Sequence, residues 1–175
     1  MSARAPTRTT IVGVLSDTHG HLHPPVKRLL EDVDHIIHAG DVGSAHVLVE
    51  LRAIAPVTAV RGNCDAGAWA QSLPAYAEVD LGGARILVGH AAGRLRAEAG
   101  DSGLAVVITG HSHLASLEER DNVLHLNPGS AGPRRFGRPR TVARLEIRPP
   151  RRAETETDPG SGPCISATIL TAESD

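Results

Sequence analysis

Ile11-Val12-Gly13-Val14-Leu15-Ser16-Asp17-Thr18-His19 reads as a buried strand that runs straight into two side chains able to hold a metal. Its opening is aliphatic throughout except for one glycine, the pattern of a strand covered on both faces. The same design recurs along the chain. His35-Ile36-Ile37-His38-Ala39 runs into Gly40-Asp41, and Val57-Thr58-Ala59-Val60 into Arg61-Gly62-Asn63. Ala84 to Val88 runs into Gly89-His90, and Val106-Val107-Ile108 into Gly110-His111-Ser112-His113. Five strands therefore end in residues with ligand chemistry, and in four of them a glycine comes directly before the ligand. In open α/β sheets, ligands bind beyond the carboxyl ends of the strands, where neighbouring side chains converge. Glycine lets the backbone turn sharply and approach a small centre. Asp17 and His19, like His111 and His113, are spaced by two, which in extended backbone puts both on one face.

Amphipathic segments fill the gaps between the strands. Pro24-Pro25 opens a helix whose apolar face is Val26, Leu29, Leu30 and Val33. Ser44 caps a second, carrying Val47, Leu48, Leu51 and Ile54. Residues 61–74 read as loop, and a short helix is expected over 92–99. Tyr76 to Leu81 and Ala84 to Val88 form a hairpin around Gly82-Gly83. Beyond Ile108 the helices stop: 114–120, 123–126 and 141–147 are successive strands, the first two joined at Asp121-Asn122, which suggests an antiparallel section. Residues 149–163 are rich in Pro, Gly and charge and read as a mobile loop. Cys164 to Leu170 is then a last strand returning to pair with 141–147, a disordered tail being the competing reading. The expected organisation is a flexible tail over 1–9 and one α/β domain over 10–172, with no internal repeat.

Composition narrows the function. The chain has 175 residues, 41% of them hydrophobic, enough for one core. Trp69, Tyr76 and Phe136 are the whole aromatic set, so a surface that stacks sugars or bases on rings is excluded. A net charge of −2 argues against a general polyanion binder. Cys64 and Cys164 are far apart and form no CxxC pair, which fits a reducing cytoplasm. No apolar run is long enough to span a bilayer, and the first ten residues lack the apolar core of a secretory signal. The ten histidines stand out, because imidazole is the commonest metal ligand and titrates near neutral pH.

Taken singly, each piece has an ordinary reading. Asp-x-His is a common pair, Gly-Asp is usually a turn, and His-Ser-His is a polar strand end. Their order at five strand ends selects metal binding. The set is Asp17, His19, Asp41, Asn63, His90, His111 and His113: two carboxylates, an amide and four imidazoles. Hard oxygens mixed with imidazoles suit Mn, Fe, Zn or Co. The set is too large for one ordinary ion and suits two ions sharing a carboxylate. Two divalent ions against two carboxylates leave a positive centre, which attracts a phosphate ester and stabilises charge building on phosphorus.

Asp17-Thr18-His19, Gly40-Asp41, Gly62-Asn63-Cys64-Asp65, Gly89-His90 and Gly110-His111-Ser112-His113 resemble the motifs of the calcineurin-like metallophosphoesterases. The likeness is greatest to their small YfcE-like phosphodiesterase branch, and Asn127-Pro128-Gly129-Ser130 shares it. The resemblance covers residues 10–148. It implies a four-layer α/β/β/α sandwich with Asp17, His19 and His113 on one metal, Asn63, His90 and His111 on a second, and Asp41 bridging. The ions would be manganese first, with Fe, Zn, Ni or Co as alternatives. A hydroxide bridging them would attack a small phosphodiester in line, with Asp41, Asn63, Cys64 and His90 as the catalytic group. Many members of the wider superfamily place a histidine where this chain has Cys64, and that histidine is thought to protonate the leaving group. A thiol with a pKa of about 8.5 is a poorer acid at neutral pH. Turnover is therefore expected to be slow unless the leaving group is good, packing being the other reading of Cys64.

A phosphomonoesterase is the nearest alternative activity. The same fold resembles the Vps29 scaffold proteins of the retromer, so a non-catalytic interaction module is a rival of another class. A nuclease would use the arginines of 134–152, eight against the single acid Glu146, but these read as a solvated run. Relatives form dimers or tetramers, so a homo-oligomer is expected; no membrane and no nucleic acid are. His21 and His23 lie beside the metal loop within reach of substrate, whereas His35, His38, His46 and His125 read as structural or surface residues. Arg61 has two readings, a phosphate contact or an ion pair. Asp65 either orients the Cys64 position or caps its loop.

Overall fold

The computed structural model describes residues 8–91, 93, 95, 103–134, 137–150 and 162–172. Ten strands form two five-stranded sheets. They are β1 (Thr10–Leu15), β2 (His35–His38), β3 (Val57–Ala59), β4 (Tyr76–Leu81), β5 (Ala84–Gly89), β6 (Val106–Ile108), β7 (Ser116–Arg120), β8 (Val123–Asn127), β9 (Arg140–Arg148) and β10 (Cys164–Ala172). One sheet has the order β10-β9-β1-β2-β3, the other β4-β5-β6-β8-β7. The helices are α1 (Pro24–Arg28), α2 (Ala45–Arg52) and α3 (Ala68–Gln71).

Strand periodicity builds the layers, because alternate side chains point to opposite faces. Val12 and Val14 of β1 and Ile37 of β2 face Ile86 and Val88 of β5 and Val106 and Ile108 of β6 in the core between the sheets. Leu15 and Ile36 point the other way, into a second core with Val26 and Leu30 and with Val47, Leu48 and Leu51 of α2. Leu87 and Val107 point outward from the other sheet onto Leu95, which lies in helical backbone. The layering is thus α/β/β/α. Gly13 faces the α1 side, where an added Cβ would stand 2.5 Å from Leu30 Cδ2, so glycine is what lets that segment sit down on β1.

Several local expectations change. α1 ends at Arg28, after which Leu30 N donates to Lys27 O and the chain continues in turns; Leu30 is still buried, and Leu29 and Val33 pack against the same core. Residues 61–74 contain the single-turn α3, too short to leave a periodic signal, with Trp69 packed against the core. The helix expected over 92–99 lies largely outside the described residues, though Gly93 and Leu95 are helical. The later strands are not uniformly antiparallel, since β8 runs parallel to β6 and only β7 opposes it. Asp121 and Asn122 turn that hairpin with φ of 52° and 61°. β10 pairs antiparallel with β9 along its whole length, as expected of the last strand. Most of the 149–163 loop and of the 1–9 tail falls outside the described residues. Among the described residues no helix is long and apolar enough to cross a membrane.

Candidate metal centre

The carboxyl ends of β1, β2, β3, β5 and β6 lie along one edge of the two sheets, and all seven candidate ligands meet there. The backbone that aims them is not extended. Asp17, His19, Asp41, His111 and His113 have φ of 58°, 48°, 53°, 67° and 58°. The other described non-glycine residues with positive φ are the two of the β7–β8 turn. Left-handed backbone is sparsely populated by ordinary residues and clusters at functional sites. Alternation along an extended segment therefore does not explain why Asp17 meets His19, or why His111 and His113 share the site. Left-handed turns directly after the strands do.

Asp17 is fully buried. Its Oδ2 accepts hydrogen bonds from Ser16 Oγ (2.5 Å) and His111 N (3.1 Å). Its Oδ1 has no hydrogen-bond donor, and neither has His19 Nε2. Asp17 Oδ1 faces His113 Nε2 at 3.3 Å and His19 Nε2 at 4.0 Å. The His19 and His113 rings stack with centroids 5.4 Å apart. Three donor atoms thus converge, and an orphaned carboxylate oxygen inside protein is costly without a cation.

Asn63, His90 and His111 form the second half. His90 Nδ1 lies 2.8 Å from Ala39 O, so it carries the ring proton and leaves the Nε2 lone pair for the site. That Nε2 stands 3.0 Å from Asn63 Oδ1 and 3.4 Å from Asp41 Oδ2. His111 Nδ1 is 2.9 Å from the same Asn63 oxygen. Asn63 Nδ2 donates to Cys64 Sγ at 3.3 Å, which fixes the amide with its oxygen inward. Two imidazole nitrogens and an amide oxygen thus converge beside the Asp41 carboxylate, a set of atoms able to ligate a cation.

Asp41 stands between the halves. Its Oδ1 accepts from Cys64 N at 2.8 Å, while Oδ2 faces His90 at 3.4 Å and His19 at 4.0 Å. Burial works against the Asp41 anion, but the His90 ring and the Cys64 N–H hold its carboxyl well below the usual range. Burial likewise opposes the His90 cation, yet the Asp41 carboxylate and the Ala39 carbonyl raise that pKa above its ordinary value. In three groupings, Asp17-His19-His113, His19-Asp41-Cys64 and Asp17-Asp41-His90, the ligand atoms lie within 4.8 Å of one another. The residues present fit metal ions.

The loops are braced from behind. Asp65, 8% exposed, accepts from Gly43 N (2.7 Å) with Oδ1 and from Gly62 N (2.8 Å) with Oδ2, tying the Asp41 loop to the Asn63 loop. Asn127 Nδ2 donates to Gly110 O (2.8 Å) and Ser112 Oγ (3.1 Å), holding the His111–His113 loop. Thr18 Oγ1 donates to Val42 O (2.9 Å) and so accepts from His38 Nε2 (2.9 Å). Burial pushes the His38 pKa down to about 4, so the ring is neutral. The sequence offered Asp65 only as an orienting or capping residue and assigned no clamp to Asn127 or Thr18. The signal lies in contacts between loops distant along the chain. Two of the histidines read as structural or surface residues are placed so: His35 pairs with Thr58 Oγ1 at 2.8 Å, and the exposed His46 lies 3.5 Å from Glu50.

The centre opens to solvent through Asn63, Cys64 and His111, all exposed. A cavity of about 290 Å³ is bounded by His19, Asp41, Asn63, Cys64, His111 and His113. A larger one of about 730 Å³ adjoins it and is lined by Arg61, Asn63, Tyr76, His90, Leu95 and His111. The chain therefore offers two ligand groups around a shared carboxylate at the floor of an open cleft.

Comparison with known proteins agrees with this geometry. Residues 11–149 match the model of the calcineurin-like phosphoesterase superfamily domain. Phosphodiesterase MJ0936 of Methanocaldococcus jannaschii is 32% identical over 137 residues, covering 67% of this chain and 82% of that protein. The solved structure of an archaeal phosphodiesterase superposes with a TM-score of 0.68 at 26% identity, over 92% of this chain and all of the other. Wild-type Vps29 of Entamoeba histolytica, solved in complex with zinc, shares the fold at a TM-score of 0.66 and 18% identity, over 94% of this chain and all of that one. With its motifs, its two sheets and its strand-end ligand cluster in agreement, the chain belongs to the calcineurin-like phosphoesterase superfamily.

Proposed function

We propose that this chain is a two-metal phosphodiesterase that hydrolyses a small phosphodiester, water adding to phosphorus as the bond to the departing alcohol breaks. The convergence of ligand atoms in two groups about Asp41 Oδ2 carries this reading. Asp17, His19 and His113 would hold one ion and Asn63, His90 and His111 the other, with Asp41 shared. Divalent cations bound there supply positive charge for the phosphate and lower the pKa of water toward neutrality. Manganese is the first candidate, with iron, zinc, nickel and cobalt as alternatives.

The chain's own groups do the rest. Asp17 and Asp41 at the cleft floor repel a phosphodiester until they are neutralised, so substrate binding depends on the cations. The Ala39 carbonyl holds His90 in the tautomer that presents Nε2. Cys64 sits at the cavity mouth. Its thiol protonates a departing alkoxide poorly at neutral pH, which favours esters with good leaving groups. Two features support a diester: the 730 Å³ cavity beside the Asn63 half has room for an organic arm, and a relative of this chain is named a phosphodiesterase.

The test joins elemental analysis of metal per chain to hydrolysis of bis-p-nitrophenyl phosphate and p-nitrophenyl phosphate, with and without Mn²⁺, on the native protein and Asp41→Ala. Two equivalents of metal, a diester preference and loss of both in the variant are expected. A monoester preference would overturn the diester assignment. Bound metal with no ester cleaved would favour a Vps29-like scaffold.

A further inference from the structure

We infer that Arg61 binds a phosphoryl group on the departing arm, so that the preferred substrate is a diphosphate diester cleaved at its phosphoanhydride bond. This deepens the phosphodiesterase reading of the centre and rests on it. The sequence leaves Arg61 two partners, a carboxylate or a phosphate. Its exposed guanidinium forms no hydrogen bond or ion pair with any described residue, and none of the described residues lining the cavity of about 730 Å³ with it is acidic. Other arginines of this surface do meet a carboxylate: Arg8, Arg85 and Arg144 stand 2.7, 2.6 and 2.8 Å from Asp34, Glu78 and Asp32. The Arg61 backbone is fixed on both sides. Its N–H donates to Pro74 O at 2.8 Å, and the next residue, Gly62, is seated so closely on Asp41 that no Cβ fits between them. Arg61 and Asn63 thus flank the glycine that rests on the shared carboxylate, and both line the cavity together with His90 and His111.

The same cavity suits an organic arm, since Tyr76 is half exposed there and Leu95 forms part of its wall. The chemistry of departure selects what joins that arm to phosphorus. Cys64, at the mouth of the smaller cavity, offers a thiol, which is a weak hydrogen-bond donor. An alkoxide that leaves without a proton is a strong base. A phosphate monoester, with a second pKa of about 6, leaves as a stable anion and needs none. In the step, the oxygen of water bonds to the attacked phosphorus, and the bond from that phosphorus to the bridging oxygen breaks. The bridging oxygen keeps the electron pair and departs on the second phosphate. Two phosphate monoesters result, and two protons pass to solvent. The departing phosphate goes from one negative charge to two, so a guanidinium fork holds it more strongly as the bond breaks. A carboxylic mixed anhydride also departs unprotonated, but it offers Arg61 no charge until the bond has broken.

Diphenyl diphosphate with one phenyl on each phosphorus, and diphenyl phosphate, differ by one phosphoryl unit and test this. Turnover of the diphosphate is followed by phosphorus NMR beside that of bis-p-nitrophenyl phosphate. Calorimetry on the Mn²⁺-loaded protein compares diphenyl phosphate with the methylenediphosphonate analogue of the diphosphate, in which carbon replaces the bridging oxygen. The native protein should cleave the diphosphate and bind the analogue about tenfold more tightly than diphenyl phosphate, the worth of one charge-assisted contact. Arg61→Gln should narrow that ratio to within about twofold, whereas Arg52→Gln, exposed on α2, should keep it. Equal Kd values in the native protein, or a ratio that survives Arg61→Gln, would overturn the role of Arg61. Cleavage of bis-p-nitrophenyl phosphate without cleavage of the diphosphate would overturn the anhydride assignment. Cleavage of neither would instead refute the phosphodiesterase reading, and the ratio of binding constants would still decide what Arg61 holds.

Discussion

Asp65→Asn puts the bracing of the centre to a direct test. One carboxylate receives the Gly43 and Gly62 N–H groups at 2.7 and 2.8 Å. Gly43 follows Asp41 by two residues and Gly62 directly precedes Asn63, so Asp65 fixes the spacing of the shared carboxylate and the second ligand group. Asparagine keeps the shape but turns one oxygen into an NH2 that faces an N–H donor. A hydrogen bond to a charged group contributes roughly 1.5–3 kcal/mol, and a buried donor left unpaired costs roughly 1–3 kcal/mol. A loss of about 3 kcal/mol at the site follows, tempered by whatever the loops relax. Partners behind metal ligands typically change metal affinity by about 10–100-fold, and the same is expected here. Calorimetric titration with Mn²⁺ and with Zn²⁺ measures the affinity, and urea unfolding of the metal-free protein measures the stability. Asp80→Asn, on the exposed face of β4, is the control. If Asp65→Asn binds both metals as tightly as the native protein, the two-loop clamp does not set the geometry of the centre.

Gly40→Ala places a Cβ 2.7 Å from the His90 ring at a φ of 88°, so His90 must leave its position; elemental analysis should then show metal lost from the Asn63–His90–His111 group. His38 gives a pH signature. The unfolded chain takes up its proton near pH 6.5, whereas the buried ring does so only near about 4. This residue's share of stability is therefore full above pH 6.5 and falls by about 3 kcal/mol as the pH drops to 4, and His38→Gln should flatten that fall in urea unfolding. The raised His90 pKa extends the range over which the metal-free ring is protonated, so metal uptake should release a proton and weaken in acid. Calorimetry in buffers of different ionisation enthalpy measures that proton, and identical apparent enthalpies in every buffer would contradict it.

Much of this was legible because it rests on side-chain type and on periodicity. Val12, Val14, Ile86, Val88, Val106 and Ile108 alternate into one core, and the pattern is visible in the chain alone. The ligands were legible because each ends a strand, and strand ends in such sheets face a common edge. The helix Ala68–Gln71 was not, since a single turn carries no period and Gly67 at its start, with φ 89°, reads as a loop. The parallel pairing of β6 with β8 was hidden as well, because the loop between β6 and β7 lets β8 re-enter beside β6, and adjacency in sequence suggests the opposite. Asp65 and Asn127 act across 22 and 17 residues of chain, a distance at which local patterns hold no information.

The left-handed ligands lead to one further step. A non-glycine residue in that region costs roughly 1–2 kcal/mol, and five of the seven candidate ligands carry it without help from glycine. Such strain persists only where the surroundings over-determine the backbone. Here they do: Asp17 N donates to Gly40 O and His19 N to Asp41 O, both at 3.0 Å, and His111 N is held by Asp17 Oδ2. Each strained loop is fastened to another strained loop, so one cannot relax without releasing its neighbour. The centre is therefore arranged by the protein before any cation arrives. Cation binding then neutralises the Asp17 and Asp41 carboxylates rather than ordering the chain, so the positions of the ligands belong to the fold.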